Sequence, residues 1–171
     1  MKVEVVDYNS EWVNLYLEEA EKMKKILGNE LVDIYHIGST SVANLKAKPI
    51  IDIMPVVKDI IKVDIYNKEF EDLGYEPKGE FGMAGRRYFR KGLEDRTHQI
   101  HVFEKSNTYD IERHLAVRDY LRTHPEDAYE YGELKSKLAI MFPLNIEAYC
   151  DGKGNFVKEL ERKALEWYHQ T

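Results

Sequence analysis

A glycine and a serine, Gly38-Ser39, are followed after twelve intervening residues by Asp52 in this chain, and both sites abut β-branched segments, Val32 to Ile37 before the pair and Pro49 to Val57 around the aspartate. A small hydroxyl residue after a glycine lets backbone amides approach a phosphate closely. A strand carboxylate facing such a loop can hold a divalent cation that bridges phosphate oxygens. The spacing suits phosphoryl or nucleotidyl chemistry. Alternation along the strand puts Ile50, Asp52 and Met54 on one face and Ile51 and Ile53 on the other. An aspartate flanked by isoleucines is expensive to bury unless a hydrogen-bonding or ionic partner meets it. The competing reading is a plain turn at Gly38 to Ser41 with Asp52 capping it. His36 shares a face with Val32 and Ile34 and by itself reads more as a core histidine than as a ligand, and Lys48 reads as either a phosphate contact or a strand-edge lysine.

A second constellation is Gly85-Arg86-Arg87-Tyr88-Phe89-Arg90-Lys91 followed by Thr97-His98-Gln99-Ile100-His101-Val102. On the first strand Arg87, Phe89 and Lys91 point one way and Arg86, Tyr88 and Arg90 the other, so each face carries two cations able to meet an anion. On the second strand His98 aligns with Ile100 and Val102, whereas His101 aligns with Gln99 and Phe103. The two histidines therefore face one metal only if the strand bulges. Arg118, Asp119 and Lys135 fall on amphipathic helices, where charge is ordinarily a solvated face. Cys150 has no histidine near it in sequence and is a poor candidate nucleophile. The chain contains no Walker-type loop, no dinucleotide fingerprint and no nucleophile elbow.

The elements that must position these residues are legible from periodicity. Val3 to Val6 reads as a short strand. Asn9-Ser10 then caps a helix whose stripe of Trp12, Tyr16, Ala20, Met23 and Leu27 faces a sheet, leaving Glu18, Glu19, Lys22 and Lys25 wet, with Gly28 as its stop. A helix over 61–73 ending at Gly74 leads into Tyr75 to Lys78, Arg86 to Lys91 and Thr97 to Phe103, spaced like an antiparallel meander. From Thr108 the signals are helical only, with a second start at Pro125, a stop at Pro143, and a last helix over 145–169 in which Gly152 and Gly154 mark a kink. The layout is α+β, a mixed sheet with flanking helices and a C-terminal helical layer. It is read as one domain over residues 1–171, with an α/β core over 1–104 and a helical part over 105–171.

Composition sets the outer bounds. The chain has 171 residues, 43% hydrophobic and 33% charged, which suits a single globular core. With 25 basic against 31 acidic residues and a net charge of −6, no broad cationic face recommends nucleic acid as a partner. One cysteine excludes an intramolecular disulfide and any zinc site built from several thiolates. The N-terminus lacks a signal-like apolar region, and the apolar run around Pro49 to Val57 is interrupted by Asp52, so a cytoplasmic protein without a membrane partner is expected.

Taken in order, Tyr35-His36-Ile37-Gly38-Ser39-Thr40-Ser41-Val42, Lys48-Pro49-Ile50-Ile51-Asp52-Ile53, Arg86-Arg87-Tyr88-Phe89, Thr97-His98-Gln99-Ile100-His101-Val102 and Arg118-Asp119-Tyr120-Leu121 resemble the GrpB family across nearly the whole chain. That resemblance implies the nucleotidyltransferase-like fold, whose signature is a Gly-Ser loop followed by a strand bearing an acidic-x-acidic pair. It implies phosphate contacts from Gly38, Ser39, Thr40, Lys48 and Arg87, and a catalytic or metal-binding Asp52 joined by His36, His98 or His101. The implied cofactor is a divalent cation, Mg²⁺ or Mn²⁺, with Zn²⁺ as a further option, since a mixed histidine and carboxylate set suits Mn²⁺, Zn²⁺ or Fe²⁺ better than Mg²⁺. The second acidic position is Met54, which is no ligand for Mg²⁺. Ala43-Asn44 and Gln99 stand where the family commonly carries Pro-Gly and a further histidine. The expected function is binding of a nucleotide or phosphorylated small molecule, with nucleotidyl or phosphoryl transfer if the protein is an enzyme. The alternatives are a non-catalytic binding or regulatory module that has lost the metal pair, and a histidine-centred metal hydrolase.

Overall fold

The computed structural model describes residues 2–171. Five strands, β1 (Leu31–Ile37), β2 (Ile51–Val57), β3 (Tyr75–Pro77), β4 (Arg86–Lys91) and β5 (His98–Glu104), form one mixed sheet in the order β1-β2-β5-β4-β3. Only β2 and β5 run parallel; β1 pairs antiparallel with β2, and β3, β4 and β5 make the antiparallel meander. Helix α1 (Glu11–Leu27) and the short α2 (Asn67–Asp72) cover one face. There Ile51, Ile53, Phe89, Ile100 and Val102 pack with Trp12, Met23, Leu27 and Phe70. Helices α3 (Thr108–Thr123), α4 (Pro125–Met141) and α5 (Ile146–Gln170) form the C-terminal layer, which meets the other face through Ile37, Met54, Phe103 and Leu115.

Several local expectations change on folding. Val3 to Val6 adds no strand to the sheet: Val6 makes an isolated bridge with Ala47, and Val3 N donates to the Pro143 carbonyl at 2.8 Å. The helix expected over 61–73 is a 3₁₀ stretch at Ile60–Tyr66 running into α2, consistent with its β-branched residues, Ile60, Ile61, Val63 and Ile65. Helix α5 runs unbroken through Gly152 and Gly154. An added Cβ at Gly152 would lie 2.5 Å from Leu138 Cδ2, so this glycine lets α5 approach α4 closely.

Glu19 is the sharpest departure, buried at 4% exposure although its place on α1 reads as solvated. Its Oε1 accepts from Tyr75 Oη at 2.7 Å and Lys91 Nζ at 2.6 Å, and its Oε2 from Lys22 Nζ at 2.9 Å, tying α1 to β3 and β4. Burial alone would push its carboxyl up, but the hydrogen bonds from Lys91, Lys22 and Tyr75 outweigh that and hold it down at about 2. Its contribution to stability is therefore present above the ordinary value of 4.5 and is lost as pH falls from there toward about 2. Glu19→Gln is expected to cost about 2 kcal/mol near neutrality and to flatten that acid limb, as read by urea denaturation at a series of pH values.

Candidate functional site

The segment after β1 cannot continue as strand, since Gly38 takes φ 72°, and Ser39–Ser41 turns as a single 3₁₀ coil. An added Cβ at Gly38 would stand 2.6 Å from Asp52 Oδ2, so the glycine is what allows the Asp52 carboxylate to lie against the loop. The loop is then drawn away from the sheet. Val42 and Leu45 join the core of the C-terminal layer with Ala116, Tyr120, Tyr131 and Leu160. Arg122 donates to the Ser41 carbonyl at 2.8 and 3.1 Å, and Arg118 to the His36 carbonyl at 3.3 Å.

Between this loop, β2 and the helical layer lies a cavity of about 140 Å³. The loop brings Ser39 and Thr40, the approach to β2 brings Lys48 and Ile50, the strands bring Asp52 and Gln99, α4 brings Lys135 and α5 brings Tyr149 and Lys153. Lys135 is 2% exposed, and its Nζ donates to Ser39 Oγ at 2.8 Å and lies 4.3 Å from the Tyr131 ring centroid. Among the described residues it makes no ion pair. Burial, and after it the charges of Lys153 and Lys48, drives its ammonium well below the ordinary lysine range. Lys48 and Lys153 each stand 5.1 Å from the Tyr149 ring, and burial with Lys153 beside it also lowers Lys48. The Tyr149 hydroxyl is fully buried and meets no hydrogen-bond partner; burial raises its pKa. Among the described residues Asp52 is the one carboxylate lining the cavity, and its Oδ1 lies 3.0 Å from His101 Nε2.

The expected site residues are thus divided by the sheet. Gly38, Ser39, Thr40, Lys48, Asp52 and His101 come together on the helical-layer side. His36, His98 and Arg87 do not, because strand alternation sends them to the α1 face. His36 stacks on Tyr16 at 4.7 Å, hydrogen-bonds Thr40 Oγ1 at 3.0 Å, and is pushed down to about 4 by burial. His98 meets Thr97 Oγ1 at 2.8 Å beside Tyr75. Arg87 forms a two-point pair with Asp64 at 2.7 and 3.3 Å and is spoken for. Met54, in the second acidic position, is fully buried.

This donor set fits the implied divalent cation poorly. Among the described residues no three of histidine, cysteine, aspartate and glutamate converge, and Asp52 with His101 is the only pair at the cavity. Lys135, Lys153 and Tyr149 were not legible as site residues from local reading. Yet Tyr131, Lys135 and Leu138 on α4, and Tyr149, Lys153, Phe156 and Leu160 on α5, follow the spacing of a buried stripe. A lysine inside an apolar period is the signal that points to them.

The sequence model of one family, described as GrpB protein, matches residues 2–163. The chain belongs to the GrpB family. It is 47% identical to the UPF0157 protein YqkA of Bacillus subtilis over 97% of its own length, but spans only 48% of that relative. It is 33% identical to the glutamate-rich protein GrpB of Alkalihalophilus pseudofirmus, covering 93% of this chain and 94% of that one. A crystal structure of the conserved protein GrpB from Enterococcus faecalis superimposes with TM-score 0.94 at 48% identity, covering 96% of this chain and 99% of that one. The Cid1 poly(U) polymerase, solved in complex with its short product ApU, matches at TM-score 0.52 and 13% identity over 75% of this chain and 41% of its own. That likeness gives the GrpB chain a nucleotidyltransferase-like fold. Among the described residues no helix is long and apolar enough to cross a membrane.

Gly38→Ala puts a methyl group against the Asp52 carboxylate in a backbone conformation unfavourable to alanine. It is expected to cost about 1–3 kcal/mol in urea denaturation and to shift the His101 imidazole resonances as Asp52 is displaced.

Proposed function

We propose that this GrpB-family protein binds a nucleotide or another phosphorylated small molecule, with its phosphate against Lys48, Lys135 and Lys153. The observation that carries this reading is the charge of the cavity: three lysines from three separate segments converge on a space containing a single carboxylate. Uncompensated buried cations are costly, and a phosphate is the common cellular group that neutralises several at once. Ser39 and Thr40 hydroxyls and the unpartnered Tyr149 hydroxyl supply hydrogen bonds for its oxygens. The lysines carry the neutralising charge that carboxylate-held cations carry in two-metal transfer sites. The reading therefore favours a binding module over a nucleotidyl or phosphoryl transferase. Transfer is the second reading. It rests on Asp52, which lies at the cavity with His101 on one oxygen and would hold a single cation only if ligand phosphates completed the shell. The lone exposed cysteine, Cys150, supports reading the protein as cytoplasmic, where thiols stay reduced.

A thermal-shift panel of nucleoside mono-, di- and triphosphates, each with EDTA, Mg²⁺ or Mn²⁺, tests both readings. Ligand at about 100 times its Kd adds roughly 2.7 kcal/mol and should raise Tm by several degrees. The binding reading expects a shift that survives EDTA and is lost in Lys48→Met. A shift that requires metal and disappears in Asp52→Asn, with the variant's own stability within about 1 kcal/mol of the parent, would replace it with transfer.

A further inference from the structure

Resting on the phosphate reading above, the geometry of the cavity narrows both the group that enters it and what happens to the protein when it does. Among the described residues Lys135 faces two other ammonium groups and no free carboxylate. On α4 itself Tyr131 offers its ring face; the loop offers only the Ser39 hydroxyl; α5 contributes Lys153 and the neutral Tyr149; and Lys48 approaches from the start of β2. The single carboxylate lining the cavity, Asp52, is engaged by His101. Burial and the two neighbouring ammonium groups lower Lys135 accordingly, while the Tyr131 ring gives back only a part.

The cavity also has an orientation. Lys135 and Tyr149 at its inner wall are buried at 2% and 0% exposure. On the other side it adjoins a second cavity of about 260 Å³, with which it shares Lys48 and Ile50. The walls of that second space mix Lys2 and Arg96 with Glu4, Glu94 and Asp95, and offer no surplus positive charge for another anionic group. The charge a ligand must carry is therefore concentrated at one end of it.

We propose that the cavity takes a terminal, dianionic phosphate, as in a phosphomonoester, in preference to an internal phosphodiester, and that Lys135 acquires a proton as this group enters. Two negative charges beside the amine reverse the balance that the two lysines impose, and the proton comes from solvent. The ligand's uncharged remainder extends past Lys48 toward the second cavity. Recognition is then strongest below the pH at which the free protein's Lys135 loses its proton. Above it, affinity falls by about tenfold per pH unit until the bound form titrates as well.

Sulfate is the cleanest probe, since it keeps two charges throughout the range and any proton taken up belongs to the protein. The full chain is titrated with sulfate in a pH-stat at steps between about pH 6 and about pH 10, at constant ionic strength set by chloride. Thermal shifts with sulfate, inorganic phosphate and dimethyl phosphate are read alongside. The expected result is proton uptake at some pH within that range, with Tm rising in sulfate and phosphate but not in dimethyl phosphate. Lys135→Arg, which keeps its charge, should retain the Tm shift without uptake, and Lys135→Met should lose both. Binding with no uptake at any pH, equal uptake in Lys135→Arg, or a dimethyl phosphate shift as large as that of sulfate would overturn the inference while leaving the phosphate reading intact. Silence with these probes and with every nucleotide would overturn both.

Discussion

An amine buried beside a hydroxyl, with two more lysines near it and no carboxylate pairing it, is the constraint around which this molecule is arranged. Lys135 reaches Ser39 from the middle of α4, so it sits where it does only because the loop after β1 leaves the sheet and enters the core of the helical layer. Val42 and Leu45 anchor that loop by apolar burial, and Arg118 and Arg122 hold the backbone carbonyls at its two ends. The helical layer is thus neither a loose lid nor an appendage. It shares a core with the loop and builds half of the cavity wall, and the energy that keeps a lysine in so unfavourable a place comes from that shared apolar packing.

The sheet separates this cavity from a second set of charged residues that look equally functional in sequence. His36, Arg87 and His98 lie on the α1 side and are used within the fold, on Tyr16 and Thr40, on Asp64, and near Tyr75. Glu19 with Lys91, Lys22 and Tyr75 does on that face what apolar packing does elsewhere, fastening α1 to the β3–β4 edge through charge-assisted hydrogen bonds. On the cavity side Asp52 keeps its place because Gly38 has no side chain to exclude it, and His101 takes up one of its oxygens. A fold with a nucleotidyltransferase-like outline here surrounds its cavity with three lysines and, among the described residues, a single carboxylate, with Met54 turned into the core.

Much of this was legible in the sequence, and the boundary between what was and was not follows from the range of the forces involved. Strand alternation assigned Asp52 to one face and separated His98 from His101, and the α1 stripe and the turn glycines marked their elements, because these are local backbone and periodicity effects. Gly152 lies inside one continuous helix, and a helix neighbour, Leu138, gives its missing side chain a packing reason that the local sequence does not show. Glu19 and Lys135 were read as solvated because each sits in a polar local context, and their partners lie far away in the chain. The sequence by itself determined the order of the five sheet strands and the four long helices, the face each strand residue takes and the Gly38–Asp52 pairing of a small residue with a carboxylate. Only the tertiary structure decided that α4 and α5 deliver Lys135, Lys153 and Tyr149 to that pair, because the long-range packing of Val42 and Leu45 into the helical layer sets where those helices lie.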